Sequence, residues 1–417
     1  MKRILFLSCF CLLHTLAIAQ LGDLLKRKAG EGVKQGAQNA TEKGIDKLFK
    51  KKNKKEENKN TDDNNQPKFA SQTEKPSATI KAYSKYDFIP GEKILAYDDF
   101  MKDAAGDFPV QWNTNASGEI MTVDNYEGHW LNISKEGYYV PKFIKSLPEN
   151  FTLEYDLIFL PPQQSQGPNT DVIASQFITL ADSKKPFEYY TDRGYFETDP
   201  YLNNVNIASY TKTGDKLLEN QFNVKGIQRQ KLFTYHIAVW RQKTRLRVYF
   251  NETKVVDAPS LLAEDIKYNA FRFATSLNND GSTWLISNFK FASGLPDTRN
   301  KLLTAGKFST TGILFATNSS SIQPQSYGTL KDIATVLKEN AEVKIKIVGH
   351  TDNDGDDAAN LDLSKKRAEA VKAILAKEFG IDENRMQTDG KGETQPAVPN
   401  TSAEGKAQNR RVEFIKM

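Results

Sequence analysis

The nine residues Phe151-Thr152-Leu153-Glu154-Tyr155-Asp156-Leu157-Ile158-Phe159 place an apolar side chain at every second position, with polar ones between them as far as Asp156. That period of two places every second side chain on one face of a pleated strand, and it is incompatible with an amphipathic helix. Arg245 to Phe250 repeats the pattern after the run His236 to Trp240. Shorter runs rich in β-branched and aromatic residues follow the same texture at Trp130–Ile133, Ser175–Leu180, Val205–Tyr210, Phe271–Ala274 and Trp284–Phe291. Gly, Asn, Asp and Pro separate them. Only Ser260–Ile266 reads as helical. Strands at this density predict an all-β sandwich, or jelly roll, over residues 86–295. An outer-membrane barrel would need strands of about ten residues with a lipid-facing apolar band, and these runs are shorter and interrupted by Lys, Asp and Pro. Trp112, Trp130, Trp240 and Trp284 sit at strand spacing, which favours core packing over a sugar-stacking platform.

The rest of the 417 residues has a different texture. Lys2 and Arg3, the apolar run Ile4–Ile18 and the small-x-small site Ala17-Ile18-Ala19 predict a secretory signal peptide over residues 1–19. Both cysteines, Cys9 and Cys11, lie inside it, so the exported chain has no thiol for a disulfide, a Cys-ligated metal or a nucleophile. Residues 20–85 begin as a weak amphipathic helix interrupted by glycines. From Lys50 they become Lys/Asn-rich with little to bury, which predicts a disordered linker. The net charge of +5 gives no warrant for nucleic-acid binding.

From Leu302 onward strand and helix patterns alternate. Gly312–Phe315 reads as a strand, Leu330, Ile333, Ala334 and Leu337 as a helix face, and Val343, Ile345 and Ile347 as a strand covered on one side. Ala368, Val371, Leu375 and Phe379 form a second helix face, and Val412–Ile415 a last strand. Helices crossing between strands predict an α/β sandwich with a βαβαβ-type core over residues 302–417.

This region holds the one constellation with clear chemistry. The strand Glu342–Val348 delivers Gly349-His350-Thr351-Asp352 to a sheet edge, and a polar loop leads into a helix expected to start near Leu361. Asp352 and Arg367 then meet where the strand ends and the helix begins. A carboxylate for an ammonium and a guanidinium fork for a carboxylate suit a zwitterionic ligand, and the helix N-terminus adds to the pull on an anion. A structural ion pair is the competing reading of the same two residues. Asn360 reads either as part of this pocket or as the helix N-cap, and His350 as a hydrogen-bonded scaffold residue.

With these motifs in place, residues 302–417 resemble the OmpA-like peptidoglycan-binding domain family. The resemblance rests on Gly312-Ile313-Leu314-Phe315 with Ile322 and Pro324, Gly349-His350-Thr351-Asp352, Asn360, Leu363-Ser364 with Arg367-Ala368, Gly390-x-Gly392 and Asn409-Arg410-Arg411-Val412. It implies a noncatalytic domain that holds the diaminopimelate of the peptidoglycan stem peptide. Asp352 and Arg367 would make the charged contacts, and Thr351, Asn360 and Arg411 would complete the pocket. It also implies a place in the periplasm or at the outer membrane. The acidic loop residues Asp354, Asp356 and Asp357 depart from the family pattern and would weaken the hold on an anionic polymer.

Leu147-Pro148 leading into Phe151–Phe159, His236–Phe250 and Ser287–Phe291 loosely resemble concanavalin-A-like and laminin-G jelly rolls. That architecture hosts glycan binding, protein recognition and glycan hydrolysis. Hydrolysis requires two carboxylates flanking the scissile bond. Glu154 and Asp156 share a strand face, but Ile158 and Phe159 stand where a further acid would be needed. The three histidines beyond the leader, His129, His236 and His350, sit in no nucleophile motif, and no metal-ligand spacing or cofactor motif is present. The expectation is a non-enzymatic envelope protein whose partners are peptidoglycan and a glycan or protein ligand of the β region. A glycan-active or lectin-like β region is the alternative.

Overall fold

The computed structural model of the protein describes residues 86–161, 176–181, 187, 192–199, 203–228, 231–276, 281–295 and 297–417. The expected leader and tail lie outside the described residues. The middle region is built from strands β1 (Lys93–Asp98), β2 (Trp112–Thr114), β3 (Ile120–Val123), β4 (Tyr126–Asn132) and β5 (Gly137–Pro141). These are followed by β6 (Asn150–Leu160), β7 (Gln176–Ala181), β8 (Asp192–Asp199), β9 (Asn204–Tyr210) and β10 (Lys216–Asn223). The series ends with β11 (Phe233–Gln242), β12 (Arg245–Phe250), β13 (Thr253–Ala258), β14 (Ala270–Thr275) and β15 (Thr283–Ser293). They form an eight-stranded sheet, β13-β12-β11-β6-β15-β4-β3 with β1 also on β15, and a seven-stranded sheet, β10-β9-β8-β7-β14-β5-β2. Every strand pairing in the two sheets is antiparallel.

The alternation of β6 decides what lies between the sheets. Phe151, Leu153, Tyr155, Leu157 and Phe159 enter one core with Phe271 and Phe273 of β14, and Trp112 stacks on Phe273 at 5.9 Å. A fully buried Phe or Leu contributes about 1.5–3 kcal/mol, so this row alone fixes the register of the central strand. All four tryptophans are buried. The helix expected at Ser260–Ile266 does not form. Leu262 instead donates its N–H to the Thr244 carbonyl (2.9 Å), and Leu261, Leu262 and Ile266 fill the core as loop residues.

The C-terminal region contains α1 (Thr298–Leu303), β16 (Lys307–Thr310), α2 (Tyr327–Glu339), β17 (Ile345–Gly349), α3 (Asp357–Lys377), β18 (Met386–Gly390), α4 (Ala403–Asn409) and β19 (Val412–Lys416). Its sheet runs β16-β19-β17-β18, with only β17 and β18 parallel. Leu330, Ile333, Ala334 and Leu337 of α2 and Ala368, Val371 and Leu375 of α3 pack on Ile345, Ile347 and Phe414. The edge strand lies upstream of the expected Gly312–Phe315. Phe308 of β16 stacks on Phe414 and takes that edge, leaving Phe315 a single bridge to Ile322.

The two regions touch along the outer face of the larger sheet. Tyr86 and Phe88 pack on Ala238, Trp240 and Tyr249, with Tyr327 of α2 against the same cluster. Ile94 and Ala292 meet Ala407 of α4, and the Ile94 N–H donates to Gln408 Oε1 at 3.0 Å.

Candidate ligand-binding site

Helix α3 is seated against the sheet by two glycines. A Cβ on Gly349 would lie 2.2 Å from the Ser364 carbonyl oxygen, and one on Gly390 would lie 2.4 Å from Ser364 Oγ. Ser364 Oγ accepts the Gly392 N–H at 2.9 Å. The glycines of β17 and β18 therefore bring the backbone of α3 onto the end of the sheet, and the Leu-Ser-x-x-Arg-Ala sequence rides on that contact. The helix starts at Asp357, four residues before Leu361. Its N-cap is Asp356, whose carboxylate accepts from the N–H groups of Ala358 and Ala359, both at 3.0 Å.

That cap corrects the N-cap reading of Asn360, which lies inside the first turn. Asn360 Nδ2 donates to the Asp354 carbonyl (3.0 Å) and to Glu393 Oε2 (2.7 Å), pinning the loop that carries Asp352. The loop acids also have local partners. Asp354 pairs with Lys406, Asp356 caps the helix, and Asp357 sits in its first turn, where a negative charge is favoured.

Asp352 is buried. One carboxylate oxygen accepts the Asp354 N–H at 3.2 Å and the other accepts Arg410 Nη1 at 2.5 Å. Arg367 stands over the Phe315 ring at 4.9 Å and donates Nε to the Ser319 carbonyl at 3.0 Å. Burial pushes its pKa down, the Asp352 charge opposes this, and the Arg410 charge adds to it. Asp352, Arg367 and Arg410 thus share one electrostatic neighbourhood. Among the described residues the terminal nitrogens of Arg367 make no hydrogen bond, and the buried Thr351 hydroxyl has no partner. The Gly312–Ile322 motif supplies Phe315 and Ser319, the shelf on which Arg367 rests.

The structure turns Arg411 away from this group. Its Nε reaches Glu413 Oε1 at 3.0 Å, both residues buried, and its Nη2 the carbonyl of exposed Gln395 at 3.0 Å. The arginine beside Asp352 is Arg410. The signal was present in the alternation of β19, where Val412 and Phe414 enter the core and Arg411 must share the opposite face with Glu413. Burial would raise the Glu413 pKa, but His350, Lys307 and Arg411 together hold it well below the usual carboxylate range. His350 is buried with Nε2 3.4 Å from Glu413, a scaffold position. Glu393 was not legible as a partner of Asn360, because the contact crosses from β18's loop to α3.

A second charged cluster lies on the outer face of the larger sheet. Glu154 is buried with Lys290 Nζ at 2.8 Å and His236 Nε2 at 3.4 Å, and His236 Nδ1 lies 2.8 Å from Asp156. Burial opposes charge on both groups, but Lys290 and His236 bring the Glu154 pKa down to about 2, and Asp156 and Glu154 bring His236 up to about 9. No group of three or more His, Cys, Asp or Glu residues among the described ones is placed to hold a metal. Because the folded pKa of His236 lies above its ordinary 6.5, its stabilisation is complete below pH 6.5 and is lost as pH rises toward 9. Urea melts of the wild type should show a decline on the order of 2 kcal/mol over that window. His236→Gln should flatten it, and a wild-type profile flat from pH 6 to 9 would contradict the assignment.

The C-terminal architecture is a mixed four-stranded sheet with two crossing helices and a polar cluster not at a sheet edge, as expected, but at the end of the inner strand β17, where the chain leads into α3. Residues 314–410 match the OmpA family, and this part of the chain is an OmpA family domain. Over 101 residues it is 39% identical to outer membrane porin F of Pseudomonas aeruginosa, covering 24% of this chain and 29% of that protein. Over 100 residues it is 41% identical to outer membrane protein A of Bordetella avium, covering 24% of this chain and 51% of that protein. The chain therefore spans between 29% and 51% of the length of these two relatives. Among solved structures, the peptidoglycan-associated lipoprotein from Burkholderia pseudomallei aligns with 31% identity over 29% of this chain and 100% of that one, with a TM-score of 0.25. No helix among the described residues is long and apolar enough to cross a membrane.

Proposed function

We propose that this chain is a non-enzymatic envelope protein that holds peptidoglycan through the diaminopimelate of the stem peptide, tethering a β-sandwich (residues 86–295) to the cell wall. Support comes from the OmpA family match, from relatives named as outer membrane proteins, and from one observation above all. Asp352 and Arg367 share one electrostatic neighbourhood at the end of the sheet, with the Arg367 terminal nitrogens and the Thr351 hydroxyl uncommitted. Asp352 would receive the ligand ammonium and Arg367 the carboxylate, with Thr351 beside them. Asn360 shapes the loop, and Arg411 stiffens the strand end.

Two or three charge-assisted hydrogen bonds at about 1.5–3 kcal/mol each, less the cost of immobilising the ligand, leave an affinity on the order of 0.1–1 mM. The polymer presents many stem peptides, so rebinding makes that sufficient. The protein should co-sediment with purified peptidoglycan. Asp352→Asn and Arg367→Lys should each weaken a soluble diaminopimelate-containing muropeptide by roughly tenfold with little change in Tm. Unchanged affinity in both folded variants would remove the two residues from the site. A loss of stability without loss of binding would make both residues structural, Asp352 through its ion pair with Arg410 and Arg367 through its bond to the Ser319 carbonyl.

The two sheets fit a jelly roll of the concanavalin-A-like kind, and a glycan or protein ligand there is the second reading. The feature that favours it is a groove of about 680 Å³ beside β10 and the β12–β13 hairpin, lined by Gln221, Asn223, Tyr235, Asn251 and Glu252. Its amide and acid groups lie among Phe222, Tyr235 and Phe250, a mixed polar and apolar lining of the kind that binds a small ligand.

A further inference from the structure

The stem-peptide site does not end at the OmpA family domain. Arg410, which holds Asp352, projects from the end of α4, and α4 packs on β1 of the two-sheet region. The Arg410 guanidinium lies 5.4 Å from the centre of the Tyr97 ring on that strand. Tyr97 Oη is 3.5 Å from Asn288 Oδ1, and Asn288 Nδ2 donates to Asp156 at 2.7 Å. The negative charge of Asp99 acts on the same guanidinium. A continuous polar path therefore runs from Asp352 through Arg410 and Tyr97 to the outer face of the larger sheet. The side-chain amide of Gln408 keeps the two sides in register, since the Ile94 N–H donates to Gln408 Oε1 and Gln408 Nε2 donates to the Glu92 carbonyl at 3.3 Å.

Arg410 is more than a third exposed, and its one ion-pair partner among the described residues is Asp352. A guanidinium carries five N–H donors in a fixed fork, so most of its donors remain available beside the bound ligand. A free arginine side chain must be ordered before those donors can be used, at a cost in rotamer entropy. An aromatic face at cation–π distance orders it in advance.

We propose that the stem-peptide site is composite, and that Tyr97 of the two-sheet region is a positioning residue that holds Arg410 in place to meet the anionic part of the ligand. This rests on the reading under Proposed function and extends it, because recognition would then require both regions of the chain rather than the OmpA family domain alone.

The test uses the full chain and a soluble muropeptide, L-Ala-γ-D-Glu-meso-diaminopimelate, titrated calorimetrically. Tyr97→Leu keeps apolar bulk against Ile94, Ala292 and Ala407 but removes the ring face. It should weaken binding roughly three- to tenfold. Tyr97→Phe keeps the ring and loses only a hydroxyl at the limit of hydrogen-bond distance, so it should stay within about twofold of wild type. In an Arg410→Ala background, Tyr97→Leu should produce no further loss. Wild-type affinity in folded Tyr97→Leu would overturn the proposal. So would an equal loss with and without Arg410, which marks a general structural effect. Failure of the underlying reading looks different: binding would then be absent in the wild type, or indifferent to Asp352→Asn.

Discussion

Lys290→Met should destabilise the chain by about 3–5 kcal/mol, measured by denaturant unfolding at pH 7, because it leaves a buried charge without its main partner. Glu154 is 3% exposed, and Lys290 Nζ sits 2.8 Å from its carboxylate. Burial alone would drive the Glu154 proton on, yet Lys290 and His236 hold the group ionised with its pKa near 2. Removing Lys290 forces Glu154 either to take up a proton or to remain charged in an apolar setting beside His236. The double variant Glu154→Gln, Lys290→Met has neither charge to strand and should recover most of the loss. A cost under about 1 kcal/mol for Lys290→Met would mean that water already reaches the pair.

How far these side chains were legible depends on whether their partners are local. The alternation of Phe151–Phe159 marked β6 from the sequence because its apolar residues line one face; the half-buried reading is corrected by the structure, where Thr152, Glu154 and Ile158 of the other face are buried too. Strands β1, β2, β3, β5, β8, β10 and β13 were not read. β10 is mostly exposed on both faces and so carries no alternation to detect. The displaced edge strand of the C-terminal sheet has a related cause. Gly312–Phe315 is apolar, but Phe308 completes the stack on Phe414, a contact spanning the whole region.

In the candidate site, Asp352, Thr351, Asn360 and Arg367 were legible as a group through motif order and through the strand-to-helix geometry, and the structure brings these four to the end of the inner strand β17 rather than to a sheet edge. Asn360 is engaged by the loop and by Glu393 rather than facing open space. Arg410 rather than Arg411 reaches Asp352 because adjacent residues face opposite ways, and the period of β19 runs back through Arg411 just before the strand. Tyr97 could not be found from the sequence, since more than 300 residues separate it from Arg410, as their numbers show. Only the packing of α4 on β1 brings them together.

Gly349→Ala should be among the most damaging single substitutions in the C-terminal region, although it adds one methyl group and touches no ligand-binding side chain. The new Cβ would fall 2.2 Å from the Ser364 carbonyl oxygen and 3.0 Å from its carbon. Those are backbone atoms of a 21-residue helix, which cannot rotate aside as the tip of a flexible side chain would. Either β17 or α3 must move, and the core between them, with Ala368 and Val371 on one side and Ile345 and Ile347 on the other, loses contact. A cost of about 3 kcal/mol or more is expected. Because Arg367 lies one turn beyond Ser364 on the same helix, its separation from Asp352 changes as well, and muropeptide affinity should fall tenfold or more in whatever fraction stays folded. Gly380→Ala is the control. Gly380 has φ +68° with no atom within 4 Å of an added Cβ, so strain alone costs about 1–2 kcal/mol and binding should be unchanged. If Gly349→Ala melts and binds like wild type, the glycine is not what seats α3. The Gly-His-Thr-Asp turn would then owe its glycine to something other than close approach of the helix.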